Sequence, residues 1–107
     1  MNDTLAAPAN NTATTQQIFS QIVEKIIEQQ EAIIGPVAVE QAKRVRELKI
    51  NWAQHAVNIE GNPQGAIDEL VRQYKELFGQ IAVETCKEAA SKLLPKLNAA
   101  ELPKSLQ

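Results

Sequence analysis

The residues that could carry chemistry are few in this sequence. It contains one histidine, His55, and one cysteine, Cys86. A metal site needs several Cys, His or carboxylate ligands at coordinating spacing, and the sequence offers His55 no such set. A nucleophilic thiol needs a base beside it, and nothing in the sequence spacing brings His55 to Cys86. We therefore predict that the protein is not an enzyme and has no metal or cofactor of its own.

Other catalytic and cofactor-binding patterns are absent from the sequence. The four glycines are scattered, so none forms a phosphate-binding loop ahead of a helix. No Glu-x-x-His motif occurs, which excludes a di-iron bundle. A single cysteine cannot form an internal disulfide and fits a reducing compartment.

The densest charge cluster is basic and is formed by Lys43, Arg44, Arg46 and Lys49. Over the whole chain, however, 11 basic residues face 13 acidic ones, for a net charge of −2. A chain with this charge balance is poorly suited to neutralise the phosphates of a nucleic acid. No aromatic residues lie within the cluster to stack on nucleic-acid bases. We interpret the cluster as a solvated helix surface and a candidate surface for an acidic protein partner. Weak nucleic-acid binding is an alternative, and it predicts steep salt dependence.

A second alternative rests on Trp52 and His55, which lie close together at the edge of an apolar stripe. A helical bundle could hold a small apolar molecule or a haem near these two rings. A bound chromophore would show in the absorbance spectrum of the purified protein.

The elements that position these residues are predicted to be helices. Apolar residues recur every three to four positions over most of the chain, as amphipathic helices require. Gly35-Pro36, Gly61-Asn62-Pro63 and Gly79 interrupt this periodicity. Strand signals are weak, and only the stretch from Lys49 to Trp52 gives reason to hesitate. We predict an all-α fold, an antiparallel helical hairpin or four-helix bundle, with helical segments near 16–34, 36–59, 64–78 and 80–94.

The composition and the chain ends suggest one domain with two tails. Hydrophobic residues make up 44% and aromatic residues 4%, so the core must be aliphatic. Residues 1–15 are rich in Asn, Thr and Ala and are predicted to be a flexible tail, followed by a helical domain over 16–97 and a proline-containing tail over 98–107. The sequence shows neither a secretory signal nor an apolar run of about 20 residues, so we expect a cytoplasmic protein without a membrane span.

The most informative feature is an internal repeat with an offset of 44 residues. The segments 34–43 and 78–87 share five of ten residues, namely Gly, Ala, Val, Glu and Lys. We interpret them as a duplicated helix–Gly–helix unit in which Gly35, with Pro36, and Gly79 are equivalent joints. The alternative is that helical composition alone makes the segments similar. Glycine costs about 1 kcal/mol inside a helix, so its recurrence predicts a bend or a close helix contact, with the two glycines facing each other across a pseudo-two-fold axis.

The first joint also carries a family resemblance. Residues 33–38, Ile-Ile-Gly-Pro-Val-Ala, followed by a second helix, resemble small helical modules attached to bacterial response regulators and Ser/Thr kinases. This resemblance implies an interaction or dimerisation role in signalling. We expect a regulatory or adaptor module that binds a protein partner through a helical surface, and a homodimer in which two hairpins with excess apolar surface close a four-helix bundle.

Overall fold

The first long helix begins at a side-chain cap and ends at a glycine. In the computed structural model, which describes residues 14–107, helix α1 spans Thr15–Ile34. The Thr14 side chain accepts a hydrogen bond from the Gln17 amide (3.1 Å), and the Gln17 side chain accepts one from the Thr14 amide (2.8 Å). This reciprocal pair satisfies two amides that the helix start leaves without partners. Thr14 is therefore the N-cap of α1.

A short helix and a β-hairpin follow α1. Helix α2 spans Val37–Ala42, strand β1 Leu48–Asn51 and strand β2 Ala56–Ile59. The strands are antiparallel, with Leu48 opposite Ile59 and Ile50 opposite Val57. Because side chains alternate between the faces of a strand, these four apolar residues share one face.

The prediction of an all-α fold with one helix over 36–59 is therefore wrong. Val45, Leu48, Trp52, Ala56 and Ile59 fit helical spacing, but residues 48–51 and 56–59 also alternate with the two-residue period of a strand. The connection 52–55 contains neither Gly nor Pro, so no turn signal separates the strands. His55 instead adopts the left-handed conformation, at φ 50°.

The second half of the chain is helical. Asn62 caps helix α3, Pro63–Phe78, by accepting a hydrogen bond from the Gly65 amide (3.2 Å), and Pro63 occupies its first turn. Helix α4 spans Gln80–Ala90. Three short 3₁₀ turns follow, at Leu94–Lys96, Ala99–Glu101 and Lys104–Leu106. The last of these packs on α3 and α4 and buries Leu106.

The helices of the two halves pack across one another. Helix α1 contacts α2 of its own half and α4 of the other half, while α3 contacts α4 and α2. Helices α1 and α4 are antiparallel, since Gln30 bonds to Ala82 whereas Lys25 and Gln29 lie beside Glu88 and Lys92. A single chain thus brings all four helices together around one aliphatic core. The expected four-helix bundle closed by two hairpin-shaped chains is wrong.

Candidate functional site

The two glycine joints have the same backbone geometry. Gly35 has φ 77° and ψ −158°, and Gly79 has φ 77° and ψ −162°. Each glycine amide donates to the carbonyl four residues earlier, at Glu31 (2.9 Å) and Lys75 (2.7 Å). Each glycine ends one helix in the same way, and the next helix begins at Val37 after Gly35 and at Gln80 after Gly79. The chain breaks there rather than bending a continuous helix.

The glycines are required by this conformation and not by close packing. A Cβ atom built on Gly35 or Gly79 would have no other atom within 4 Å among the described residues. The expected close contact between the two glycines is therefore wrong. The reason for glycine is the combination of positive φ and extended ψ, a region essentially restricted to glycine.

Two equivalent hydrogen bonds join the halves. The buried Gln30 side chain donates to the Ala82 carbonyl (3.0 Å), and the buried Tyr74 hydroxyl donates to the Ala38 carbonyl (2.7 Å). Gln30 and Tyr74 are 44 residues apart, as are Ala38 and Ala82. These paired bonds show that the repeat is also a structural pseudo-two-fold. Each donor lies five residues before the glycine of its own half, and its acceptor lies three residues after the glycine of the other half. Both joints therefore lie at the same end of the helical body.

Exposed apolar side chains surround the joints. The large hydrophobic residues that are exposed in the described part of the chain are Ile33 (64%), Val37 (37%), Leu77 (50%), Phe78 (41%) and Ile81 (73%). With the partly buried Ile34 they form three equivalent pairs, 33 with 77, 34 with 78 and 37 with 81. We call these six residues the apolar end. It is the most prominent candidate binding surface of the described structure.

Sequence reasoning missed the apolar end because apolar spacing alone does not distinguish Ile33, Ile34 and Phe78 from core residues. The signal was present in the repeat itself. Large apolar residues flank both joints at the same offset, whereas the innermost positions, 38 and 82, are alanines. Bulky residues next to a chain reversal have less neighbouring structure to cover them.

The basic cluster lies on two different elements. Lys43, Arg44 and Arg46 are exposed in the turn after α2, and Lys49 is exposed on β1. Glu47 lies between them and lines a shallow surface cleft with Arg44 and Arg46. The expected continuous helical surface is not formed, because helix α2 ends at Ala42.

Trp52 and His55 stack at the tip of the hairpin. Their ring centroids are 4.1 Å apart at an interplanar angle of 20°. Trp52 Nε1 donates to the Glu31 carboxylate (3.2 Å), and His55 Nδ1 lies 3.2 Å from a Glu28 oxygen. The rings fill the space against each other, so a planar ligand has no gap between them. Their contacts attach the hairpin to α1.

Cys86 lies in the core on the other side of α1. Its sulfur accepts a hydrogen bond from Gln30 (3.4 Å), and burial raises the pKa of its thiol to about 11. Burial likewise raises the pKa of Tyr74. Residues 28 and 30, which contact His55 and Cys86, point about 200° apart round α1. The thiol and the imidazole therefore lie on opposite sides of this helix.

Two further properties concern residues 14–107. No group of three or more His, Cys, Asp or Glu side chains there is arranged to hold a metal ion. None of the helices in this range combines the length and the apolar character needed to cross a bilayer.

Comparison of the chain with protein-family models, with curated proteins and with solved structures finds no match.

Proposed function

We propose that this protein is a non-enzymatic interaction module that forms a homodimer through the apolar end. The observation that carries this proposal is the exposure of equivalent apolar residues around both joints, Ile33 and Leu77 among them. Single exposed apolar residues are normal on a protein surface, whereas a cluster of them around one feature is a candidate binding surface.

The size of the apolar end suits a protein partner. Its side chains expose on the order of 500 Å² of apolar surface, a size at which surface patches are often functional. A standard protein interface covers about 800 Å² per partner, so the patch can form the centre of one, with a polar rim around it.

The symmetry of the apolar end favours a second copy of this chain as the partner. A two-fold dimer needs a surface that is complementary to itself. Because each apolar residue has an equivalent across the pseudo-axis, rotating a second copy onto the patch brings apolar residues against apolar residues. Ile81, the most exposed at 73%, would meet such a residue in the partner.

The proposal that the module is non-enzymatic is supported by the environments of Cys86 and His55. The thiol is buried and its pKa is raised, which disfavours the reactive thiolate at neutral pH. The imidazole lies on the surface and is bonded to Glu28. A signalling role, which the resemblance of the first joint implies, and a cytoplasmic location belong to the same proposal.

Sedimentation velocity over the micromolar range tests the dimer. We expect the wild-type protein to sediment as a dimer and Ile81→Glu to sediment as a monomer with an unchanged circular dichroism spectrum. Ala100→Glu is the matched control, because it introduces the same charge at an exposed residue outside the apolar end. A wild-type monomer throughout this range, or an Ile81→Glu variant that dimerises as well as the control, would refute the proposal.

A further inference from the structure

The pseudo-two-fold relation makes one face of α1 equivalent to one face of α3. In the first half, the hairpin tip occupies this face of α1. There α1 presents Glu28 and Glu31 to the hairpin tip. Trp52 donates to Glu31, and His55 is bonded to Glu28. In the first half, the hairpin tip thus lies against α1. The indole N–H of Trp52 and the imidazole of His55 contact the acidic side chains of that helix.

In the second half the equivalent face is basic and open. The residues 44 positions after Glu28 and Glu31 are Arg72 and Lys75, so the charge of the face is reversed. They line a cleft of about 370 Å³ between α3, α4 and the Lys104–Leu106 turn. That turn covers only one side of the cleft, where the Ser105 amide and hydroxyl both donate to Asp68.

The charged residues that line the cleft are mainly lysines. Lys75, Lys87 and Lys104 line it, and the largely buried Val71 and Val83 also contribute to its walls. Among residues 14–107, no carboxylate lies within 4 Å of the Lys75 or Lys104 ammonium groups. Lys87 is held only loosely, at 3.8 Å from Glu84. Three ammonium groups thus border the cleft, and the one carboxylate side chain among its described lining residues, Asp68, already accepts two hydrogen bonds from Ser105.

We propose that this cleft binds an acidic segment of a partner protein, with its carboxylates on Lys75 and Lys104. The hairpin tip in the first half is the intramolecular counterpart of this contact, with opposite charge. The proposal goes beyond self-association and uses none of the residues of the apolar end.

The chemistry of the cleft favours a peptide over a small anion or a nucleic acid. A phosphate group is held best by a free guanidinium fork, whereas Arg72 is already paired with Glu69 and Glu76. Among the residues described, the cleft has no aromatic side chain on which a base could stack, and the net charge of the chain is −2, which disfavours a nucleic acid. Lysine ammoniums on flexible stems suit the separate carboxylates of an acidic peptide.

Fluorescence anisotropy with the full-length protein and a labelled peptide tests this proposal. The probe peptide carries four glutamates around a single leucine, and a second peptide replaces the glutamates with lysines. We expect the acidic peptide to bind at low salt and the basic one not to bind. The double variant Lys75→Glu/Lys104→Glu should lose about tenfold or more in affinity. Lys43→Glu is the matched control, because Lys43 is the equivalent of Lys87 in the first half, and it should bind nearly as the wild-type protein does.

Three outcomes would overturn the proposal. They are the absence of acidic-peptide binding, an equal loss of affinity in the control variant, and displacement of the peptide by millimolar phosphate but not by chloride of the same ionic strength. The last result would indicate a small-anion site. Ile81→Glu is measured in parallel and should keep peptide binding, so failure of the cleft proposal is distinguishable from failure of the dimer proposal.

Discussion

At the scale of single residues, the joints depend on a backbone conformation that other side chains cannot adopt without strain. Gly35 and Gly79 combine φ 77° with nearly extended ψ. An L-residue in this region costs of order 1–3 kcal/mol. The space around both glycines is open, so a substitution there meets no steric clash.

We expect Gly79→Ala to lower the free energy of unfolding by about 1–3 kcal/mol, because alanine is strained at this φ and ψ. Urea denaturation followed by circular dichroism measures the change. Gly65→Ala is the control, since Gly65 lies within α3 at ordinary φ and its Cβ would meet Asn62 at 3.4 Å. The control should be neutral or stabilising by about 0.5 kcal/mol. Equal effects of the two substitutions would contradict the strain argument.

The buried thiol makes stability depend on pH in the alkaline range. The pKa of Cys86 is about 11 in the folded protein, against an ordinary value of 9.0. Because the folded pKa is the higher one, the neutral thiol contributes stability that is fully present below pH 9 and is lost as pH rises from 9 to 11.

We expect the wild-type protein to lose on the order of 2 kcal/mol of stability from this thiol between pH 9 and pH 11. Cys86→Ala should remove that contribution to the slope, since alanine already occupies the equivalent position, Ala42. Unfolding free energies of both proteins, measured from pH 8 to 11 with a reductant present, test this. The same slope in the two proteins would show that Cys86 does not titrate differently in the folded and unfolded states.

At the scale of elements, the hairpin depends on α1 for its stability. A two-stranded hairpin is marginal by itself in water. Here Gln16 donates to the Ile59 carbonyl (3.2 Å) near the open end, and Trp52 donates to Glu31 near the tip. Helix α1 thus holds both ends of the hairpin.

We expect Trp52→Ala to destabilise the hairpin by about 1–3 kcal/mol, because it removes the ring stack on His55 and the bond to Glu31. Amide hydrogen exchange should accelerate in residues 48–59 and change little in α3 and α4. Gln54→Ala, in the same turn and exposed, is the control and should leave exchange unchanged. Uniform acceleration over the whole chain would show that the hairpin is not a separate unit of stability.

At the scale of the whole molecule, the crossed packing of the halves explains where apolar surface remains. The bonds from Gln30 to Ala82 and from Tyr74 to Ala38 hold both joints at one end. The helix faces directed inward fill the core, and the apolar residues at the joints extend beyond it. The proposed dimer would cover this remaining surface.

Dimerisation predicts a melting temperature that depends on concentration. Association that favours the folded state stabilises it by mass action, so a roughly hundredfold increase in protein concentration should raise the Tm by several degrees. Ile81→Glu should show a Tm that is independent of concentration. A flat profile for the wild-type protein in calorimetry would argue against a dimer in this range.

Local interactions made much of this fold predictable from sequence. The cap at Thr14, the Asn62-Pro63 helix start and the glycine ends of α1 and α3 each depend on residues adjacent in the chain. The 44-residue repeat is visible in the sequence. In space, the two glycines have matching dihedral angles, and paired hydrogen bonds join the two halves.

Only the tertiary structure decided the conformation of residues 48–59 and the exposure of the joints. The apolar pattern of 48–59 fits both helix and strand, and packing against α1 selects the hairpin. Ile33 and Ile81 have the same character as the core residues near them, so their exposure depends on where the other half of the molecule ends. Burial is a property of what surrounds a residue, and residues distant in sequence supply those surroundings.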